Sequence, residues 1–372
     1  MALMSDADDS QDTLPLSVAL CAGERALDHL GCVLRYLSVG LVDQAVSVRL
    51  LGIDPRIEAL TLGPIQSLVH EPLTWPWSGK RTAHIVEVMS HQPPTSVHAL
   101  TSSSYELAAS ISEAFDADLV LQVSSLADCD RLAQLKDKRV GCHLVFSKPL
   151  IAILEGQLGI TPDHIELVRA GILASKQIAC FANPDRTPAV LCTAPFEKGS
   201  GIDQLIEAIA ILGNKGHEVL GFFLGQGKME SALRRLVRQR NLSAVITFAK
   251  PLGDIAFAMQ SADIFVRPAA KSCFDIHALQ AMGMGMAVVT PPDTICDYLR
   301  EGETAAFCAQ PNAVSLAGAI ELLLLNRSAA KEIAAAGREY VRTHHAMSVM
   351  ADRAAAVYRR LALARATFAI RE

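Results

Sequence analysis

The chain has 372 residues, of which 51% are hydrophobic and 20% are charged. At about 100–200 residues per domain, this length favours two globular domains, and the high apolar content argues against an extensively disordered chain. The net charge of -5 provides no general attraction to phosphate backbones, which makes nucleic acid a poor candidate partner.

The cysteines and the apolar runs set further limits. Nine cysteines are scattered singly, without the spacing of zinc sites, so we expect buried thiols in a reducing compartment and no metal site. The longest apolar runs fall short of the roughly 20 residues of a membrane-spanning helix. Residues 1–14 are acidic and polar, unlike a secretion signal, and are predicted to form a disordered tail. These features predict a cytoplasmic protein, with peripheral contact at the inner membrane face left open.

The first half of the chain begins with a predicted βαβ unit. Its parts are a strand at Leu16–Leu20, a helix at Glu24–Leu41 and a strand at Gln44–Gly52. The stretch Pro55–Pro94 is rich in proline and carries both tryptophans. Because proline disfavours regular helix, we predict irregular loops with short strands there.

From Ser96 the alternation of strands and helices resumes, and this order predicts a parallel sheet covered by helices on both faces. The polar, proline-bearing run Ala182–Pro188 is the best linker candidate, which places the domain boundary near Phe181. The predicted elements before that boundary are strands at 96–100, 118–123, 139–147 and 164–172 and helices at 104–115, 126–135 and 148–158.

The C-terminal half continues in βαβ order. Both halves are therefore predicted to be Rossmann-like α/β domains, at 15–181 and 182–345, followed by a last helical segment at 346–372. The predicted elements of this half are strands at 189–194, 218–225, 244–248, 263–268 and 286–290, a short strand near Ala305, and helices at 201–212, 228–240, 255–261, 275–283, 294–301, 312–325, 329–344 and 346–364.

Ligands of open α/β sheets bind beyond the carboxyl ends of the strands, so the loops that follow the C-terminal strands form the candidate site. In the first loop, Lys198 lies in a glycine-containing turn ahead of a helix, where its ammonium and the free N–H groups suit an anion. The alternative is a surface lysine in a turn. In the second loop, Gly225 and Gly227 let backbone amides approach a ligand, or serve only the conformation of the turn.

The third and fourth loops carry polar residues on or beside predicted helices. Ser272 and Gln280 lie eight positions apart in the third loop. Asp275 is interpreted as a first-turn residue that interacts with the helix dipole, and His277 as a helix-surface residue. In the fourth loop, Asp297 is predicted to lie on a helix that a polar turn follows.

Taken together and in this order, these loops resemble the C-terminal domain of glycosyltransferase family 4, the group 1 retaining glycosyltransferases with a GT-B fold, over roughly residues 185–360. The family motif G-R-L-x-P-E-K-G is similar to CTAPFEKG, which keeps Lys198 and has Thr193 in place of the arginine. The family's G-x-G loop is similar to the second loop here. Its V-x-F-x-G stretch, which lies against the nucleotide base, is similar to the predicted strand that carries Phe248.

The signature E-G-F-G-L-x-x-L-E-A-M-A-x-G-x-P-V-V resembles SCFDIHALQAMGMGMAVV, in which Phe274 is kept and the two glutamates are Ser272 and Gln280. In the family these glutamates position the donor sugar and the ribose. The resemblance therefore implies donor contacts at these positions, although serine and glutamine carry no charge. A later pattern, E-x-x-x-x-G-x-T-G, is approximated by a run that begins with Asp297, which is implied as a further polar group of the donor site.

Resemblance in the N-terminal half is limited to a few residues. VHAL is similar to the V-H-x-H strand, and His98 is the candidate for the polar group beside the reacting centre, with packing within the strand as the alternative. The opening glycine-rich loop of the family is absent.

The resemblance implies transfer of a sugar from a nucleoside diphosphate donor to a glycan, lipid or small-molecule acceptor with retention of configuration. The scheme requires no metal and no cofactor besides the donor. The alternative is a catalytically impaired GT-B protein that acts as a nucleotide-sugar sensor or as a scaffold subunit of a polysaccharide-assembly system. A third alternative is an interaction protein that uses the helical tail, although the family's tail packs back on the N-terminal domain. The oligomeric state is left open.

Overall fold

The chain folds into two α/β domains, each built around one parallel sheet. The computed structural model describes residues 15–24, 26–72, 78–135, 139–250 and 255–369, so the predicted tail at 1–14 lies outside the described residues. The two Rossmann-like sheets confirm the predicted fold class.

The N-terminal sheet has seven strands in the order β3-β2-β1-β4-β5-β6-β7, and every neighbouring pair is parallel. Most residues of these strands are apolar and buried, as expected for a parallel sheet that helices cover on both faces. They are β1 (Ser17–Ala22), β2 (Ser47–Gly52), β3 (Gln66–Val69), β4 (Ser96–Ala99), β5 (Asp118–Val123), β6 (Cys142–Val145) and β7 (Ile165–Leu167). The helices of this half are α1 (Ala26–Asp43), α2 (Ser78–Met89), α3 (Tyr105–Phe115), α4 (Leu126–Leu132) and α5 (Lys148–Leu158).

The C-terminal sheet has six strands in the order β10-β9-β8-β11-β12-β13, again all parallel. They are β8 (Ala189–Thr193), β9 (Leu220–Leu224), β10 (Ile246–Ala249), β11 (Ile264–Val266), β12 (Ala287–Thr290) and β13 (Ala306–Phe307). The helices are α6 (Ile202–Asn214), α7 (Glu230–Gln239), α8 (Ala256–Gln260), α9 (Ile276–Gly283), α10 (Ala313–Leu325), α11 (Arg327–His344) and α12 (Met347–Ala369). The strand order reverses between β8 and β11, and such a switch point is where open α/β sheets bind their ligands.

The last helix, α12, crosses back onto the N-terminal domain, as the resemblance implied. It packs against α1, where a Cβ placed on Gly40 would lie 2.5 Å from the Cβ of Ala351. The two helices therefore approach closely at this glycine. At the edge of the N-terminal sheet, Arg353 of α12 donates to the carbonyl of Leu167 in β7.

The structure corrects the prediction for Pro55–Pro94. Besides a short 3-10 helix at Pro55–Leu60 and strand β3, this stretch contains the regular helix α2. The chain has no proline between Pro76 and Pro93, so the helix forms in an uninterrupted run between them.

The predicted helix at 294–301 is also absent. The side-chain Oδ1 of Asp293 accepts hydrogen bonds from the amides of Ile295 and Cys296, both at 2.7 Å. An aspartate that binds the amides two and three residues ahead stabilises a turn, and this turn replaces the helix.

The chain joins the C-terminal domain before the run that was predicted as the linker. The amide of Ser175 donates to the carbonyl of Gly283, and the amide of Phe181 donates to Asp263. Asp263 also binds the amide of Ala189 and the guanidinium of Arg186. The run Ala182–Pro188 is therefore tied to the C-terminal sheet.

Burial of His98 should make the stability of the protein depend on pH. Its Nδ1 lies 2.7 Å from the hydroxyl of Tyr358 on α12, and both side chains are 0% exposed. Burial lowers the pKa of His98 to about 3, from an ordinary value of about 6.5. Below pH 6.5 the unfolded chain gains a proton that the folded chain does not, so His98 removes up to about 1.4 kcal/mol of stability per pH unit down to the folded pKa.

We expect the melting temperature to fall between pH 6.5 and 4, and to fall less steeply in His98→Gln. Other buried histidines whose pKa is also lowered, such as His345 at about 4, contribute to both proteins and cancel in the difference. Equal slopes in the two proteins would show that His98 does not titrate differently on unfolding.

Candidate functional site

The first loop of the C-terminal domain presents a cation beside a helix N-terminus. It runs from the end of β8 to α6, and Gly199 and Gly201 in it have φ of 83° and 77°. A Cβ on Gly201 would lie 3.0 Å from Pro268, so this loop contacts the loop after β11 closely. Lys198 is exposed, and no described carboxylate forms an ion pair with it. An ammonium at the positive end of a helix is suited to bind an anion.

The glycines of the second loop allow two loops to pack together. A Cβ on Gly225 would lie 2.1 Å from the carbonyl oxygen of Ala194, and one on Gly227 would lie 2.5 Å from that of Phe196. The amide of Phe196 also donates to the carbonyl of Gln226 at 3.0 Å. Gly225 donates its own amide to Ala249, so that amide is not free for a ligand. The glycines therefore fix the shape of the Lys198 loop.

Phe248 on β10 lies beside the second loop. Its ring forms edge contacts with Phe196 and Phe223, each with centroids 5.5 Å apart, and the guanidinium of Arg234 lies 5.0 Å from its centroid. The residue remains partly exposed. Phe248 is thus an aromatic group at the carboxyl edge of the sheet, held in place by its neighbours.

Thr193 stands at the end of β8 and contacts a histidine that reaches the N-terminal domain. Its Oγ1 lies 3.0 Å from Nδ1 of His277 on α9, and the ring of His277 also hydrogen-bonds the backbone of Asp28 on α1. Burial lowers the pKa of His277 to about 4, although Asp275 opposes the shift. A neutral His277 therefore links the two domains, and its interpretation as a helix-surface residue is wrong.

A buried arginine organises the third loop. Arg267, just after β11, lies 3.0 Å from Asp275 and 2.7 Å from Asp293, with its side chain 1% exposed. Asp275 caps α9, since its Oδ1 accepts from the amides of His277 and Ala278. Burial alone would raise the pKa of Asp275, but Lys271 and Arg267 hold it well below its usual range. Asp275 thus has the favourable interaction with the helix N-terminus that was predicted for it.

The next residues of this loop join the two domains. Ser272 accepts at its carbonyl from the amide of Leu126, at 3.0 Å, and the amide of Phe274 donates to Ser124 at 2.7 Å. The Phe274 ring is 5% exposed and packs 5.3 Å from Phe146 of the N-terminal domain. A ring enclosed in this way holds the domains together, so the predicted ligand contact of Phe274 is not supported.

Asp297 belongs to a second bridge between the domains. Its two carboxylate oxygens accept from the guanidinium of Arg169 at 3.2 and 3.0 Å, and Oδ2 also accepts from the amide of Lys148 at 3.2 Å. The carboxylate is therefore already bound by a cation and by the N-terminus of α5. In this arrangement Asp297 connects the domains rather than facing a donor.

Two further predicted site residues are buried. Gln280 lies on α9 with 5% exposure. His98 lies inside the N-terminal domain, where it lines a small internal cavity with Gln122. A group that takes part in a reaction must contact the reacting atoms, and a histidine enclosed in the core cannot. The structure thus corrects the prediction for His98 in favour of packing.

The sequence reasoning missed the roles of Arg267, Asp293 and Lys271. Arg267 and Lys271 follow β11, which borders the switch point, and Asp293 follows β12, the next strand of the sheet. Charged residues directly after buried strands were the signal that could have identified them.

Among the described residues, no group of three or more His, Cys, Asp or Glu side chains is arranged to hold a metal ion. In the same part of the chain no single helix is long and apolar enough to cross a membrane. One pair of helical segments, α10 and Arg327–Thr367, bent by 101° where they meet, is long and apolar enough by length and composition alone.

Comparison with known proteins gives matches to glycosyltransferases. Residues 176–340 match the family model described as glycosyl transferases group 1. A curated relative, the uncharacterized glycosyltransferase YqgM of Bacillus subtilis (strain 168), is 26% identical over 161 residues, which are 42% of this chain and 45% of the relative. The chain thus matches about half the length of this relative.

Solved structures match over nearly the whole chain. A glycosyltransferase from Rickettsia africae ESF-5 has a TM-score of 0.75 at 14% identity, covering 93% of this chain and 98% of its own. Sucrose-phosphate synthase from Thermosynechococcus elongatus has 0.75 at 18%, covering 94% and 100%. Anabaena HepE, in complex with UDP and glucose, has 0.74 at 14%, covering 91% and 98%. The likeness shows the fold, the GT-B arrangement of two Rossmann-like domains.

Proposed function

We propose that this protein is a glycosyltransferase that transfers a sugar from a nucleoside diphosphate donor, held at the carboxyl edge of the C-terminal sheet. The observation that carries the proposal is the Lys198 loop: an exposed ammonium, unpaired among the described residues, precedes the N-terminus of α6 at the switch point of the sheet. The group 1 match at 176–340 includes this loop. The UDP complexes of Anabaena HepE, a protein of the same fold, support a nucleotide ligand.

The chemistry of such a donor explains why a fixed cation is useful. When the bond between the anomeric carbon and the diphosphate oxygen breaks, negative charge develops on the leaving diphosphate. Lys198 and the N–H groups at the start of α6 would stabilise that charge where it forms, without reorganisation of water. Retention of configuration, and a glycan, lipid or small molecule as acceptor, are proposed on the family resemblance.

A second candidate function is nucleotide-sugar binding without transfer, in a sensor or scaffold subunit. The specific observation in its favour is that uncharged residues stand at three positions where the family has charge: Thr193, Ser272 and Gln280. The Thr193 hydroxyl is also engaged by His277. Hydrogen-bonding groups can retain a ligand, but one missing donor to a developing charge costs about 10²–10³ in rate.

Lys198→Ala should abolish most of the thermal stabilisation that a bound nucleotide gives. The wild type is expected to melt at higher temperature with one of UDP, GDP, ADP or their sugar conjugates, because a ligand at 100 times its Kd stabilises by about 2.7 kcal/mol. The measurement is a thermal unfolding series with each nucleotide. Lys215→Ala is the matched control, because Lys215 follows the opposite end of α6 and pairs with Glu321. Its nucleotide-induced shift should equal that of the wild type.

The outcomes separate the candidate functions. A shift that depends on Lys198, followed by release of nucleoside diphosphate from the sugar conjugate in the presence of acceptor, supports the transferase. The same shift without any release supports the binding protein. If no nucleotide shifts the midpoint at millimolar concentration, the donor-site proposal is wrong.

A further inference from the structure

We propose that Lys271 supplies the second cation of the donor diphosphate site, in place of the arginine that is absent at Thr193. The inference rests on the proposed function and assigns a further binding residue to the same site. Three observations support it: the strand register, the ion pairs that occupy Arg267, and the surroundings of Lys271.

Strand register places the loop of Lys271 beside Thr193. β8 and β11 are parallel neighbours in which Ile264 pairs with Val190 and Phe265 with Leu191. The two strands therefore end side by side, and the loops that follow them start from the same edge of the sheet. The contact of Gly201 with Pro268 keeps these loops together. A side chain from the second loop can thus serve a ligand bound by the first.

Arg267 directly follows β11 and is the first cation after that strand, but its guanidinium is not available to a ligand. Its guanidinium is 1% exposed and lies within ion-pair distance of both Asp275 and Asp293. Two carboxylates around one buried guanidinium leave no positive charge for a phosphate. The cation that a diphosphate needs must come from another residue.

Lys271, unlike Arg267, is accessible to a ligand. It is only partly buried, and no described carboxylate lies within ion-pair distance of its ammonium. Its charge lowers the pKa of Asp275 and acts in the same direction on the pKa values of His277 and Cys192, where burial has the larger effect. His277 in turn contacts Thr193. Lys271 is therefore a partly exposed cation in the loop that packs beside the one after Thr193.

The backbone holds Lys271 in this place. Ser272, the next residue, has φ of 50°, in the left-handed region that non-glycine residues rarely adopt. Its carbonyl is bound by the amide of Leu126, and the following residue, Cys273, forms a bridge with Ser125. A strained residue that is fixed on both sides sets the direction of the neighbouring side chain, and such strain is typical of binding sites.

The test is calorimetric titration of the full chain with three ligands that share a base: the nucleoside diphosphate that stabilises the wild type most, its monophosphate and its nucleoside. We expect Lys271→Ala to weaken the diphosphate about tenfold, since hydrogen bonds to charged groups are strong, and to change the nucleoside affinity less than twofold. Lys271→Arg should retain diphosphate affinity. Lys331→Ala, at an exposed lysine on α11, should bind all three ligands as the wild type does.

Binding of diphosphate and nucleoside to the wild type and to Lys271→Ala tests the role of Lys271 separately from the proposed function. If the wild type binds a nucleoside diphosphate and Lys271→Ala binds it equally well, the role of Lys271 is wrong and the donor site stands. An equal loss for diphosphate and nucleoside also overturns the inference, because the effect would not depend on phosphate. If the wild type binds no nucleoside diphosphate, the proposed function itself fails, and the role of Lys271 fails with it.

Discussion

Arg267→Met is expected to destabilise the C-terminal domain by about 3–5 kcal/mol. Arg267 lies 3.0 Å from Asp275 and 2.7 Å from Asp293, and the side chains of Arg267 and Asp293 are 1% and 2% exposed. Methionine fills a similar volume but removes the guanidinium that both carboxylates contact. The loss should appear as a lower midpoint in urea-induced unfolding, followed by fluorescence and by circular dichroism so that separate domain transitions are recognised.

Arg240→Met is the matched control. Arg240 forms an ion pair with Glu207 at 2.8 Å, but its side chain is 50% exposed. Exposed ion pairs contribute about 0–1 kcal/mol, because water screens them. Burial, not the number of ion pairs, should therefore decide the result. Similar losses in the two variants would contradict the assignment of Arg267 as the central cation of the loop after β11.

Gly225→Ala should both destabilise the protein and disrupt the Lys198 loop. The added Cβ would meet the carbonyl oxygen of Ala194 at 2.1 Å and the ring of Phe196 at 2.8 Å. Because the first contact is with backbone, relief requires a shift of the whole loop. We expect a cost at the upper end of the roughly 1–3 kcal/mol that overpacking causes, together with a loss of nucleotide-induced stabilisation. Thermal unfolding with and without nucleotide measures both effects.

Gly213→Ala provides a control of opposite sign. Gly213 lies in α6, and a Cβ there would meet nothing within 4 Å. Alanine at an unstrained helical position stabilises by about 0.4–1 kcal/mol, because it restricts the unfolded chain. A gain at Gly213 beside a loss at Gly225 would distinguish close packing from a general effect of removing glycine. A gain at both positions would refute the loop contact.

Much of the fold could be predicted because its determinants are local. The runs at β8, β9 and β12 are short, apolar and bounded by polar or glycine residues, which is the pattern of strands buried on both faces. The secondary-structure predictions were wrong where a single side chain, or the positions of the prolines, decided whether a helix forms. The side chain of Asp293 accepts hydrogen bonds from two amides, and the resulting turn stands where a helix was predicted. The helix α2 forms between prolines that were taken to exclude it.

The site was less predictable than the fold because its contacts join distant parts of the chain. Lys198 was identified correctly as a loop residue ahead of a helix, since strand, turn and helix are consecutive. The contact of Thr193 with His277 spans 84 positions, and that of Asp297 with Arg169 spans 128. A motif shows which residues surround a strand end, but not whether an aromatic ring such as Phe274 turns toward a ligand or into a domain interface.

The return of α12 onto α1 affects the order in which the protein can fold as it is made. The seven strands of the first domain are complete by Leu167, yet the partner of His98 is Tyr358, 260 positions later. Until α12 leaves the ribosome, the face of α1 around Gly40 has no covering helix. A chain that is released early therefore exposes apolar surface from a domain whose sheet is already formed, and such surface promotes aggregation. The first domain to be synthesised thus completes its core only after the elements of the second domain have been made.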